Sequence, residues 1–215
     1  MEANRITVAS LIVSIGAVLC VEAAASVAAA SIPLNPMILL GVIRLFEIAL
    51  LVSAAVICGN GLSSVGLARS GTVPGFARGL LWSAGFGMSA LVVHLILYAI
   101  GINGMTLIHT QLPRSPGAIG LLFLVGGLAG PAAEEIFFRG ILYGFFRRWG
   151  VFVALTMSTL VFVIAHPGFP HIPVNQVVGG VVFAIAYEIE GSLMAPLTIH
   201  VLGNTAIFAL SLISS

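Results

Sequence analysis

Gly130-Pro131-Ala132-Ala133-Glu134-Glu135-Ile136-Phe137-Phe138-Arg139-Gly140 puts three charged side chains inside a run that otherwise reads as the middle of a membrane-spanning helix. A charge at bilayer depth is disfavoured by roughly 2.5 to 3.5 kcal/mol on insertion scales, so such groups face a bundle interior and mark function unless a partner explains them. At about 100° per residue, Glu134 and Glu135 point in different directions. Glu135 and Arg139 stand four apart on one face, where opposite charges pair. Glu135 therefore has a partner within its own helix and Glu134 has none. An unpaired carboxylate in an apolar site is suited to act as a general base or acid.

The chain around this stretch has 215 residues, 60% hydrophobic and 7% charged, against roughly 25% charged in a soluble domain. It reads as an all-α polytopic membrane bundle of about seven transmembrane helices. With neither lysine nor aspartate and a net charge of +1, it offers no basic face for nucleic acid. Cys20 and Cys58 fall in apolar segments without C-x-x-C spacing and read as small packing residues.

Hydrophobic runs at 6–30, 37–58, 80–102, 117–146, 151–166, 174–187 and 192–212 are the expected spans. Arg5 and the first run, with Ala28-Ala29-Ala30-Ser31 behind it, also resemble a signal peptide, but Glu22 interrupts the run. Residues 1–116 are expected to hold three N-terminal spans and residues 117–215 a catalytic core of four. The second span contains Arg44 and Glu47, three apart on one face, which read as an ion pair that can include Glu22 and lock the first two helices, with a substrate-gating role as the alternative. The Gly/Ser/Arg-rich segment 59–79 reads as a loop with a short interfacial helix near 73–77. His94, alone in the third span, reads as an interior residue.

Polar groups gather beyond residue 117. Counted at 1.5 Å per residue from the nearest turns, Glu134 lies about 20 Å deep, His166 about 25 Å, His200 about 13 Å and Asn204 about 20 Å. His200 and Asn204, four apart, share a face, and Phe162 shares one with His166. Sites in bundle cores are built in this way from side chains on facing helices. The set contains carboxylates, imidazoles, an amide and an arginine, but no G-x-S-x-G serine and no nearby cysteine. It suits hydrolysis by an activated water, with histidine or asparagine donors at the oxyanion.

Glu134-Glu135-x-x-x-Arg139, Phe162-x-x-x-His166 and His200-x-x-x-Asn204, in that order on successive hydrophobic helices, resemble the motifs of the CAAX-protease and bacteriocin-processing (CPBP, or Abi) family of intramembrane proteases. The resemblance covers about 117–212 and implies hydrolysis of a peptide bond in a membrane-associated protein or peptide. It also implies roles: Glu134 activates water with help from His166, His200 and Asn204 form the oxyanion site, and Glu135 with Arg139 holds the geometry. Zinc on Glu134, His166 and His200 is sterically conceivable, but H-E-x-x-H is absent and a mechanism without cofactor is favoured. The competing readings are a non-catalytic scaffold or immunity protein of the same family and an ion-coupled transporter. The transporter lacks paired broken helices.

Seven spans would place Arg5, Arg69, Arg78, Arg147 and Arg148 on one side and Arg114 on the other. The positive-inside rule then makes the N-terminus cytoplasmic and the C-terminus external, in a prokaryotic inner membrane. A reporter fused after Ser215 should be external and one inserted in segment 59–79 cytoplasmic. Both on the same side would eliminate seven crossings.

Overall fold

A computed structural model describes residues 6–58, 61–108, 110–166 and 173–214. Arg5, Ser215 and the proline-rich segment 167–172, which includes His171, lie outside the described residues. Those described form an all-α membrane bundle of seven main helices: α1 (Val8–Ser31), α2 (Pro36–Ile57), α3 (Arg69–Ala99), α4 (Pro116–Trp149), α5 (Val151–Ala165), α6 (Val174–Glu190) and α7 (Met194–Ile213). Helices α1, α2, α4, α7 and the stretch ending in α3 are long and apolar enough to cross a bilayer; α5, with 15 residues, and α6, with 17, are shorter.

Local chemistry sets the helix ends. Asn35 Oδ1 accepts from Met37 N at 2.9 Å, with Pro36 in the first turn of α2, and Ser115 Oγ caps α4 ahead of Pro116 in the same manner. Both ends combine a side-chain acceptor for the orphan amides with a residue that has none to satisfy. Gly191, at φ 62°, ends α6 in the left-handed conformation that favours glycine.

Segment 59–79 is not the expected loop. A short 3-10 turn, Leu62–Val65, leads into α3, which begins at Arg69 and runs through Pro74. So near the start of the helix the proline removes a single backbone bond. Gly71, Gly75 and Gly79 recur every four residues and form the contact with the start of α7. A Cβ on Gly75 would collide with Ser192 Oγ, and one on Gly79 would lie 2.6 Å from Thr198 Cβ and 2.9 Å from the Ala195 carbonyl. Ser192 Oγ donates to the Gly71 carbonyl at 2.9 Å. Glycines that break helices in water let two backbones approach closely in a membrane.

Helix α4 is central. It packs against α1, α2, α5, α6 and α7, while α3 is attached mainly through α7. Ile136, Ile141 and Tyr143 of α4 join Leu51, Ala184 and Tyr187 in the core. One end of the bundle collects the basic residues: Arg78 pairs with Glu190 at 2.8 Å, Arg147 with Glu188 at 2.9 Å, and Arg148 donates to the Ile6 carbonyl. Thr7 Oγ1 donates to the Cys58 carbonyl, which puts the start of α1 and the end of α2 at adjacent heights.

The glycine stripe gives a test. Gly79→Ala should cost about 1 to 3 kcal/mol, the usual penalty of overpacking, and should lower the melting temperature in detergent. Gly85→Ala, on the same helix with nothing within 4 Å of the new methyl, should be neutral. Equal effects would remove the α3–α7 seam as the reason for the glycines.

Candidate active site

Within α4 the backbone twice widens into π-helix, at Val125–Ala129 and Ile136–Tyr143. Pro131 explains the first. In an i to i+5 pattern the Gly126 carbonyl would be served by residue 131, whose proline has no N–H. Asn204 Nδ2 supplies the missing donor at 2.9 Å. The amide of α7 is thereby tied to the segment of α4 just before the two glutamates.

Glu135 is fully buried and its Oε1 accepts from Arg139 Nη1 at 2.8 Å, the pair expected from their spacing. The same oxygen lies 2.7 Å from His200 Nδ1. A carboxylate oxygen so close requires the proton on Nδ1, which turns Nε2 of His200 outward. Arg139, 1% exposed, is held by rings: its guanidinium carbon lies 4.6 Å from the Phe162 centroid and 5.0 Å from that of Phe183, and Nη2 reaches the Gly180 carbonyl at 3.4 Å. Phe183 also stacks on His200 at 4.6 Å with an interplanar angle of 22°. Ring faces complement the cation where water is absent.

Glu134 points elsewhere. Its Oε2 lies 3.6 Å from His166 Nε2 and 3.7 Å from His200 Nε2. His166 Nδ1 sits 2.8 Å from the Phe162 carbonyl, an acceptor only, so this imidazole also has Nδ1 as donor and Nε2 toward the glutamate. Phe162 therefore serves His166 through its backbone as well as its ring, which is 4.5 Å away. Separations of 3.6 and 3.7 Å are too long for direct hydrogen bonds. A water about 2.8 Å from both a carboxylate and an imidazole would bridge such a gap at an angle of about 80°.

A cavity of about 410 Å³ opens beside this group. Glu134, Phe137, Phe138 and His166 line it from α4 and from the end of α5, and Glu22, Arg44 and Glu47 line it from α1 and α2. Arg44 Nη1 is bonded to Glu22 Oε1 at 3.1 Å and to Glu47 Oε2, the ion pair expected between the first two helices. Its position opposite Glu134 was missed by sequence reasoning, although depth would have revealed it. From Cys58, at the basic end of the bundle, Arg44 lies about 21 Å along α2, the level expected for Glu134. Nothing in the sequence singled out Phe183 or the Gly180 carbonyl. His200 and Asn204 do not line the cavity, and His94 packs instead on Gly104. Among the described residues, no three His, Cys, Asp or Glu side chains are arranged to hold a metal ion.

Residues 116–206 match the family described as type II CAAX prenyl endopeptidase Rce1-like. The matched region holds all three of the motifs that resemble the CPBP family. It is 36% identical over 84 residues to a Staphylococcus aureus (strain USA300) protein named "Membrane-embedded CAAX protease MroQ", covering 36% of this chain and 34% of the relative. It is 25% identical over 150 residues to a Bacillus subtilis (strain 168) protein named "Putative membrane peptidase YdiL", covering 67% of this chain and 61% of the relative. The chain thus spans less than two thirds of the length of either curated relative. No solved structure matches it significantly.

The two adjacent glutamates should separate in a stability assay. Glu135→Gln strands Arg139 as an unpaired cation in an apolar site and leaves His200 a neutral acceptor in place of a charged one, a loss of about 3 to 5 kcal/mol, visible as lower yield and melting temperature. Glu135→Gln with Arg139→Gln should regain most of that stability, because neither charge is left alone. Glu134→Gln, beside a cavity, should melt near wild type. The reverse order would reject Glu135 as the structural member.

Proposed function

We infer that the chain is an intramembrane endopeptidase in which Glu134 activates a water for attack on a peptide carbonyl of a membrane-associated protein or peptide. The observation that carries this reading is Glu134 Oε2 within 3.7 Å of two imidazole Nε2 atoms, both rings having Nδ1 committed elsewhere, at the wall of a cavity large enough for a peptide segment. A carboxylate so placed can take a proton from water and pass it, through His166, to the departing amine. His200, braced by Glu135, presents Nε2 toward the reacting carbonyl and donates from it in its protonated form, where charge develops on the oxygen. Asn204 acts by fixing the turn of α4 that precedes Glu134. Residues 117–215 supply these groups, and residues 1–116 contribute helices that enclose the cavity.

The reading calls for a membrane protease of CAAX type without a resident metal. Purified protein in detergent, presented with a random-sequence peptide library, should generate new termini detectable by mass spectrometry. Glu134→Gln should lower turnover by at least about a hundredfold, the usual scale of general-base loss, and strong chelators should leave wild-type activity intact. Retention of turnover by Glu134→Gln would exclude it as the base. Loss on chelation restored by zinc would replace the mechanism with a metal-assisted one.

A further inference from the structure

Helices α3 and α7 run in the same direction from the basic end, closed on each other at Gly71, Gly75 and Gly79 and then separating. Beyond the closed seam lies a cavity of about 380 Å³ between Leu80, Ser83, Ala84 and Gly87 of α3 and Ile199 and Gly203 of α7. Nothing lies within 4 Å of a Cβ built on Gly87 or Gly203, so close packing explains neither glycine, although each weakens its helix relative to alanine. Ser83 Oγ donates to the Gly79 carbonyl at 2.7 Å, which leaves the groove an apolar surface. Arg69 heads the same face. At about 100° per residue, Phe76, Leu80, Ser83 and Gly87 stand within about 40° of it around α3. Arg69 is exposed and has neither a hydrogen bond nor an ion pair among the described residues. The carboxylate of Glu190, at the same end of the bundle, is taken by Arg78 and Trp82.

We propose that this face binds one anionic phospholipid, with its phosphate at Arg69 and the end of one acyl chain in the groove between α3 and α7. The lengths agree. Leu80 lies about 16 Å and Gly87 about 27 Å along the helix from Arg69, and half a bilayer with its headgroups is about 20 to 22 Å thick. A lipid anchored at Arg69 therefore delivers a chain end to the groove. Guanidinium and phosphate form charge-assisted hydrogen bonds, and anionic headgroups are drawn to basic residues beside a span. Ala68 gives the start of α3 no side-chain cap, so the positive end of the helix dipole faces the same headgroup. A chain in the groove touches both helices where they have parted, and α3 is otherwise attached mainly through α7. Ile199, on the groove wall, packs with Phe183, whose ring stacks on His200. The bound chain thus braces α7 behind that imidazole. Binding of the lipid does not depend on the peptidase reading.

Protein purified in detergent and freed of native lipid, then titrated with phosphatidylglycerol or with phosphatidylcholine carrying the same chains, tests the site by melting temperature and native mass spectrometry. Wild type should retain one phosphatidylglycerol and be stabilised at a lipid fraction about fivefold below that needed for phosphatidylcholine, the worth of one basic residue at an anionic headgroup. Arg69→Gln should bring the two lipids to the same value. Gly87→Leu, which fills the groove with the protein's own side chain, should raise the fraction needed for either lipid at least about tenfold. Gly85→Leu, equally open but on the opposite face of α3, should change neither. All three substitutions stand in open space, so melting without lipid should stay near wild type. Equal response of wild type to both lipids, a preference that survives Arg69→Gln, or equal effects of the two leucines overturns the site. Stabilisation by glycerol phosphate alone would make this a free-anion site, and a dimer that Gly87→Leu dissociates would give the groove to a second copy of the chain; either result overturns the lipid assignment.

Discussion

The contact between Glu135 and its two partners, Arg139 at 2.8 Å and His200 at 2.7 Å, is the constraint on which the rest of the site depends. One carboxylate oxygen neutralises a buried cation on its own helix and selects the tautomer of an imidazole on another. An ionised carboxylate in a dry interior is tolerated only when paired and hydrogen-bonded. Here those bonds also fix how α4 sits against α7. The second oxygen has no hydrogen-bond partner among the described residues, so its cost is carried by the pair at Oε1. Phe162 and Phe183 cover Arg139 from two further helices, which ties α5 and α6 to the same centre.

Adjacent glutamates thus acquire opposite properties from the surfaces they meet. Glu135 faces into packed side chains, where a charge must be cancelled, and Glu134 faces a cavity, where a charge can act. The π-helical widening that begins at Ile136 lies immediately after them, and such bulges recur at functional sites. The earlier widening, forced by Pro131, exposes the carbonyl that Asn204 uses. A proline that reads in the sequence as an irregularity is in the fold the reason that α7 is registered against α4.

Much of this was legible beforehand, and for definite reasons. The i, i+4 spacing of Glu135 and Arg139 and the i, i+3 spacing of Arg44 and Glu47 determine ion pairs from helix geometry alone, and counting residues put Glu134, His166 and His200 at compatible depths. Segment 59–79 was misread because glycine, serine and proline break helices in water, while their fate in a bilayer depends on what packs against them. The stripe Gly71, Gly75, Gly79 has the period of a helix face, a signal that composition hides. The bond from His200 to Glu135 was not legible. It depends on the rotation of α7 about its axis, which no motif spacing specifies.

The relation between the two parts of the chain follows from where the cavity lies. Family resemblance covers 116–206, and that region alone holds Glu134, Glu135, Arg139, His166, His200 and Asn204. Yet the space beside Glu134 is bounded on its other side by Val18, Glu22, Arg44, Glu47 and Leu51 of α1 and α2. A helix whose only duty is to fill the membrane has no need of three ionisable residues at the depth of Glu134, where each is costly unless paired. The matched region therefore accounts for the groups that would break a bond. The helices before it set the shape and charge of the space beside Glu134, while the buried network around Glu135 is made within the matched region alone.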